Sequence, residues 1–160
     1  GHNLPYYDTG RVASVVGIDP CQKSWELAAS RAKGLGVPLE FLRGTAEKMP
    51  LPDSCFDSVL MTYSLCTIPN PVAALAEVRR ILKPGGDLIF CEHGQAPDTK
   101  VARWQHRINP WWKALFGGCN LNRRIKSLIG GAGFTFDSTE EMYLPGTPRI
   151  LGFNIWGRAF

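Results

Sequence analysis

The chain has 160 residues, 44% of them hydrophobic and 20% charged, which fits one globular domain with a packed core and excludes a disordered or fibrous chain. Its net charge of +4 is mild, and basic residues are adjacent only at Arg79-Arg80 and Arg123-Arg124, so no basic stripe points to a nucleic-acid partner. Five cysteines without a Cys-x-x-Cys pair, beside three dispersed histidines, give no metal-site spacing and read as the reduced thiols of a cytoplasmic protein.

Residues 12–18 are a β-branched run that reads as a buried strand. Asp19 and Pro20 then read as the N-cap and first residue of a helix. Trp25, Leu27, Ala28, Arg31 and Ala32 continue that helix until Gly34 and Gly36 stop it. Residues 39–42 are a second strand, 44–54 a loop rich in Gly and Pro, and 56–62 a third strand. Asn70 and Pro71 open another helix by the same cap logic, with Val72, Leu75, Val78, Ile81 and Leu82 on one apolar face. Lys83-Pro84-Gly85-Gly86 is expected to end it, and residues 88–91 form a fourth strand.

The texture changes after Glu92. Residues 98–107 look helical, 109–119 are aromatic and glycine-rich, unlike a plain crossover, and 122–129 are a further short helix. Residues 134–136 and 141–144 read as parts of one strand, and 150–159 as the last strand, with Pro145, Gly146 and Pro148 in the turn between. Strands alternating with helices imply an α/β fold with a mostly parallel sheet and right-handed crossovers. The late hairpin adds an antiparallel last strand.

Two features carry chemistry on their own. Asp19 falls at the carboxyl end of the first strand, where open α/β sheets bind ligands. A carboxylate there can accept both hydroxyls of a ribose, and the plain alternative is a helix cap. The loop from Gly44 to Asp57 comes after the second strand, where its backbone N–H groups can grip a flat heterocycle; the alternative is an ordinary proline-containing connection.

The order of these pieces is more specific than any one of them. A strand ending in Asp19 is followed by Gly44-Thr45-Ala46-Glu47, then Met49-Pro50, then Phe56-Asp57 leading a strand, then Arg80-Ile81-Leu82-Lys83-Pro84-Gly85-Gly86 before another. This resembles the quinone-biosynthesis-type branch of class I S-adenosylmethionine-dependent methyltransferases. Phe90-Cys91-Glu92-His93, Trp104, Asn109-Pro110-Trp111-Trp112 and the run from Phe116 to Arg123 are similar to the group that includes the microsomal alkyl thiol methyltransferases.

The resemblance implies a Rossmann-like sheet whose first, central strand is missing here. Gly1-His2-Asn3 look like the last glycine of the family's glycine motif and the residues just after it. The chain is therefore expected to be a fragment of a single catalytic domain spanning residues 1–160, with an acceptor lid at about 94–131, and to be inactive alone if the missing strand is needed.

The implied cofactor is S-adenosylmethionine. Its expected contacts are Gly1, His2, Asn3, Asp19, Pro20, Thr45, Ala46, Glu47, Thr62 and Tyr63. Many relatives have Asp where Thr45 stands, so adenine recognition is expected to lean on the backbone of Ala46 and on Glu47. The acceptor is expected to be a small molecule, such as an alkyl thiol, a lipid or a quinone-like compound.

His93 is the candidate base, with Glu92 beside it; the alternative for His93 is a hydrogen bond within its loop. Cys66, Trp104, Trp111, Trp112, Phe116 and Arg123 are the candidate acceptor contacts, with core packing as the alternative for the aromatics and an inert buried thiol for Cys66. No apolar run approaches the length of a membrane span. Membrane association is expected only through an N-terminal segment missing from the sequence. The competing readings are a degenerate, non-catalytic methyltransferase-like module and a nicotinamide-dependent oxidoreductase. The second explains Asp19 but neither Lys83-Pro84-Gly85-Gly86 nor the aromatic segment.

Overall fold

A computed structural model describes residues 1–34 and 36–160. It contains two compact units, Gly1–Pro50 and Leu51–Phe160.

The first unit carries a 3-10 turn, Leu4–Tyr6, strand β1, Val15–Asp19, helix α1, Gln22–Ala32, and strand β2, Leu39–Arg43. β1 and β2 pair in parallel, from Val15 opposite Leu39 to Asp19 opposite Arg43. Trp25 of α1 stacks on Phe41 of β2 with ring centroids 4.5 Å apart. Leu4, Ala28 and Met49 are buried.

Two local expectations are corrected in this unit. β1 starts at Val15 rather than Val12, and Asp19 is its last residue rather than a helix cap. The helix cap is Cys21, and α1 begins at Gln22. The cause is an Asx turn: Asp19 Oδ1 accepts the Cys21 N–H at 2.7 Å, which holds Pro20 in a turn before the helix starts.

The second unit contains β3, Phe56–Thr62, α2, Pro71–Ile81, β4, Leu82–His93, α3, Thr99–Leu115, α4, Ile125–Gly131, β5, Phe136–Tyr143, and β6, Phe153–Ala159. Its sheet order is β3-β4-β6-β5. β3 runs parallel to β4, while β6 is antiparallel to both β4 and β5, so the fold is α/β with a mixed sheet and an antiparallel last strand. The core comes from Leu75, Val78 and Ile81 of α2, Leu88 and Phe90 of β4, Ile129 of α4 and Ile155 of β6, all buried.

α2 begins as its sequence indicates. The Asn70 side chain accepts the Ala73 N–H at 3.1 Å, and Pro71 occupies the first helical position. The helix ends just before Lys83-Pro84-Gly85-Gly86 as expected, but β4 starts at Leu82 and takes that segment in, rather than starting at Leu88. Phe56 pairs with Leu82 but Ser58 already pairs with Asp87, so the extra residues bulge out of the ladder, with Gly85 at a φ of 77°. The Lys83–Asp57 ion pair, at 2.7 Å, fastens that bulge to β3.

α3 also runs further than expected, through Pro110 to Leu115. Ala102 and Gln105 are buried, Asn109 and Trp112 half-buried, and the spacing of these four keeps one helical face packed past the proline.

Candidate active site

In the first unit the parallel pairing brings the ends of β1 and β2 side by side, so Asp19 stands next to Arg43 and the loop that begins at Gly44. Asp19 is half-buried. Its Oδ1 is taken by the Cys21 N–H, and Oδ2 makes no hydrogen bond among the described residues. The loop closes on itself through a Thr45–Lys48 bridge, with the Lys48 N–H donating to the Thr45 carbonyl at 3.3 Å. This turn leaves Thr45 exposed and Ala46 and Glu47 half-buried. Gly1 packs so close to α1 that a Cβ added there would lie 2.7 Å from the Ala28 Cβ. His2 and Pro20 are exposed and Asn3 half-buried.

In the second unit the site is built at the carboxyl ends of β3 and β4. Tyr63, directly after β3, holds a φ of 49°, a conformation that non-glycine residues seldom adopt. Its N–H donates to the Cys91 carbonyl at 2.9 Å. The chain turns there, and the next three N–H groups point at one carboxylate. Glu92 is fully buried; its Oε1 accepts from Ser64 at 2.8 Å and Leu65 at 2.9 Å, and its Oε2 from Cys66 at 3.2 Å. Burial pushes the Glu92 carboxyl above its ordinary value, with the three N–H groups pulling the other way. The Arg123 guanidinium, its pKa lowered by burial, donates to the Leu65 carbonyl.

His93 follows Glu92 and is 7% exposed. Its Nδ1 lies 3.5 Å from Cys119 Sγ, while its Nε2 is buried without a hydrogen-bond partner. The Cys66 and Cys119 thiols also interact with each other. That interaction pulls the Cys119 thiol down, assisted by His93, and pushes the Cys66 thiol up together with burial. The Trp112 Nε1 is a second buried nitrogen without a hydrogen-bond partner of its own. One small region therefore holds a thiol that favours its anion, an imidazole beside it, and two polar nitrogens with unused capacity.

The remaining expected residues divide by position. Trp112 and Phe116 stack with ring centroids 3.8 Å apart. Trp104 and Trp111 stand on α3 at 56% and 76% exposure, so neither packs in the core. Thr62 ends β3 immediately before Tyr63.

Several contributors were not singled out from the sequence. Cys119 is one. Gln105 is fully buried; its Oε1 accepts the Ala96 N–H at 2.8 Å, and its Nε2 donates to the Gly94 and Ile150 carbonyls. The Asn120 side chain donates to the Cys66 carbonyl at 2.9 Å, and its own N–H donates to the same oxygen at 2.8 Å. A polar residue at a buried position of an otherwise regular helical face was the one available signal for Gln105. Among the described residues no cluster of His, Cys, Asp or Glu is arranged to hold a metal ion, and no helix is long and apolar enough to cross a membrane.

Comparison with known proteins shows the family and the fold. The family profile described as a methyltransferase domain matches residues 1–90. A thiol S-methyltransferase, TMT1B of Rattus norvegicus, is 34% identical over 160 residues, covering 95% of this chain and 65% of its own length. A phthiotriol/phenolphthiotriol dimycocerosates methyltransferase of Mycobacterium tuberculosis is 36% identical over 140 residues, covering 88% of this chain and 50% of its own length. The chain thus spans about two thirds or less of these relatives. In fold, a SAM-dependent methyltransferase from Methanosarcina mazei superposes with a TM-score of 0.71 at 24% identity, covering 94% of this chain and 87% of that one.

Proposed function

The chain belongs to the methyltransferase-domain family, and from that premise we propose that it transfers the methyl group of S-adenosylmethionine to a small-molecule acceptor, an alkyl thiol, a lipid or a quinone-like compound. Its relatives bear names that span these acceptors: thiol S-methyltransferase, demethylmenaquinone methyltransferase and phthiotriol/phenolphthiotriol dimycocerosates methyltransferase. We read residues 1–160 as one catalytic domain of the cytoplasm, with 94–131 as the acceptor lid. We read its sheet as lacking the family's central strand. Among the described residues β1 pairs only with β2, and β3 only with β4 on one side, which supports that reading.

The residues present suit the donor. Asp19 keeps one carboxylate oxygen uncommitted at a strand's carboxyl end, where a ribose hydroxyl can donate to it. Gly1 packs against α1 where an added Cβ would lie 2.7 Å from the Ala28 Cβ. Thr45, Ala46 and Glu47 would take the adenine side. The bound donor supplies a methyl group already activated by a positively charged sulfur.

The protein must then align the acceptor and take its proton. Alignment is worth up to about 7–11 kcal/mol. The observation that carries the acceptor side is the buried, unpartnered Nε2 of His93. With Nδ1 3.5 Å from the Cys119 sulfur, a proton held on Nδ1 would leave a lone pair on Nε2. A free thiol of pKa about 8.5 is within reach of such a base at neutral pH. Glu92 acts one step back by fixing residues 64–66, and Arg123 helps by holding the Leu65 carbonyl. Titration of S-adenosylhomocysteine against the chain, alone and extended at its N-terminus by one strand, tests the proposal. Binding by the extended form is expected, and no binding by either form would overturn it.

A further inference from the structure

The Cys66 and Cys119 thiols interact with each other although 53 positions separate them in sequence. Three further observations make that interaction a fixed feature of the fold. Asn120, next to Cys119, fastens to the Cys66 carbonyl through both its backbone N–H, at 2.8 Å, and its side chain, at 2.9 Å. The Cys66 N–H is held by Glu92 at 3.2 Å. Cys119 Sγ sits 3.5 Å from the His93 ring. The Cys66 backbone is therefore held against the residue that follows Cys119, which brings the two cysteines together for closing a disulfide.

The two sulfurs are not equivalent. Cys119 is half-buried, whereas Cys66 is 2% exposed. Cys119 has the His93 imidazole beside it, 3.5 Å from its sulfur and able to favour a thiolate. That thiolate is the nucleophilic form, and Cys66 is placed behind it as a resolving thiol.

We propose that Cys119 is an oxidation site for hydroperoxides and that Cys66 resolves it to an intramolecular disulfide. The Cys119 sulfur attacks one peroxide oxygen; an S–O bond forms, the O–O bond breaks, and hydroxide leaves as water after taking a proton. The Cys66 sulfur then attacks the sulfenic sulfur; the S–S bond forms, the S–O bond breaks, and the departing hydroxide takes the Cys66 proton as a second water. Two thiols are oxidised and one hydrogen peroxide is reduced to two waters. The product ties residues 64–66 to residues 118–120 and removes the thiolate from His93. Oxidation therefore changes the acceptor side of the proposed methyl-transfer site, though the chemistry itself stands apart from that reading.

The test treats the whole chain, freed of reductant, with hydrogen peroxide, alkylates the remaining thiols and maps unreduced peptides by mass spectrometry. The expected result is a peptide joining Cys66 to Cys119, lost on adding dithiothreitol, with Cys21, Cys55 and Cys91 still alkylated. In Cys66→Ser the oxidation stops at Cys119, where dimedone captures the sulfenic acid. In Cys119→Ser neither a disulfide nor a dimedone adduct at Cys66 forms. Recovery of both thiols unoxidised while exposed Cys21 reacts would overturn the proposal, as would dimedone labelling of Cys66 in Cys119→Ser. Circular dichroism establishes that each variant is folded, and the wild-type peptide map decides by itself should one fail. None of these readouts involves methyl transfer, so a failure here leaves that proposal standing.

Discussion

Replacing Glu92 by alanine removes the acceptor for three consecutive N–H groups, those of Ser64, Leu65 and Cys66. Ser64 is half-buried and can turn to water, while Leu65 and Cys66 are buried. Each buried donor left unsatisfied costs about 1–3 kcal/mol. Removing a desolvated carboxylate returns part of that cost, so the net loss is expected near 3 kcal/mol, or about 6–12 °C in melting temperature for a chain of this size. Glu92→Gln keeps one accepting oxygen and should lose roughly half as much.

The pH dependence supplies an independent check. The folded carboxyl titrates above the unfolded value of about 4.3, so between those two values the native state binds more protons than the unfolded state. Stability therefore falls as pH rises through that window, and Glu92→Gln should flatten this slope. Urea unfolding of wild type, Glu92→Ala and Glu92→Gln across pH 4 to 8 measures both effects. An alanine variant within about 0.5 kcal/mol of wild type, the scatter of ordinary surface changes, would refute the assignment of Glu92 as the anchor of residues 64–66.

Three further outcomes are expected. His93→Ala should slow transfer to an alkyl thiol by roughly 10²–10⁴-fold with little change in cofactor affinity, and higher pH should partly restore the rate because the thiolate then forms unaided; pH–rate profiles of wild type and variant that coincide would remove His93 from the mechanism. Asp19→Ala should weaken S-adenosylhomocysteine by about 2–4 kcal/mol and Asp19→Asn by less; calorimetry giving equal affinities would leave Asp19 as no more than the acceptor of its Asx turn. Gly157→Ala should destabilise the chain by about 1–3 kcal/mol, because its Cβ would come within 2.2 Å of the Ser138 carbonyl on β5; an unchanged denaturation midpoint would contradict the close pairing of β5 and β6.

The features legible in the sequence were local. β3 spans residues 56–62 as its apolar run indicates, α2 starts at the Asn70 cap, and the late hairpin supplies an antiparallel strand. The misread segments are those where one local signal met a stronger tertiary one. Pro110 signals a helix end, yet the packed face at 102, 105, 109 and 112 carries α3 past it. Lys83-Pro84-Gly85-Gly86 does end the helix, yet β4 begins before it and takes it in as a bulge against β3. Asp19-Pro20 signals a helix start, yet the aspartate oxygen is drawn to the Cys21 N–H. At the candidate site the strand-end residues Asp19, Glu92 and His93 stood out because chain order places them at carboxyl ends. Cys119, Asn120 and Gln105 did not, since their partners lie 26, 54 and 9 residues away and no periodicity reports such contacts.

Methyl transfer itself is tested most directly by supplying S-adenosylmethionine deuterated on its methyl group, with a small alkyl thiol, to the protein extended by the strand proposed to complete its sheet. Mass spectrometry of the thiol product reads the outcome. A thioether carrying the labelled methyl group, formed at a rate that drops in His93→Ala, is the expected result. A protein that binds S-adenosylhomocysteine yet leaves the thiol, and lipid and quinol acceptors offered in its place, unlabelled would contradict the proposed activity.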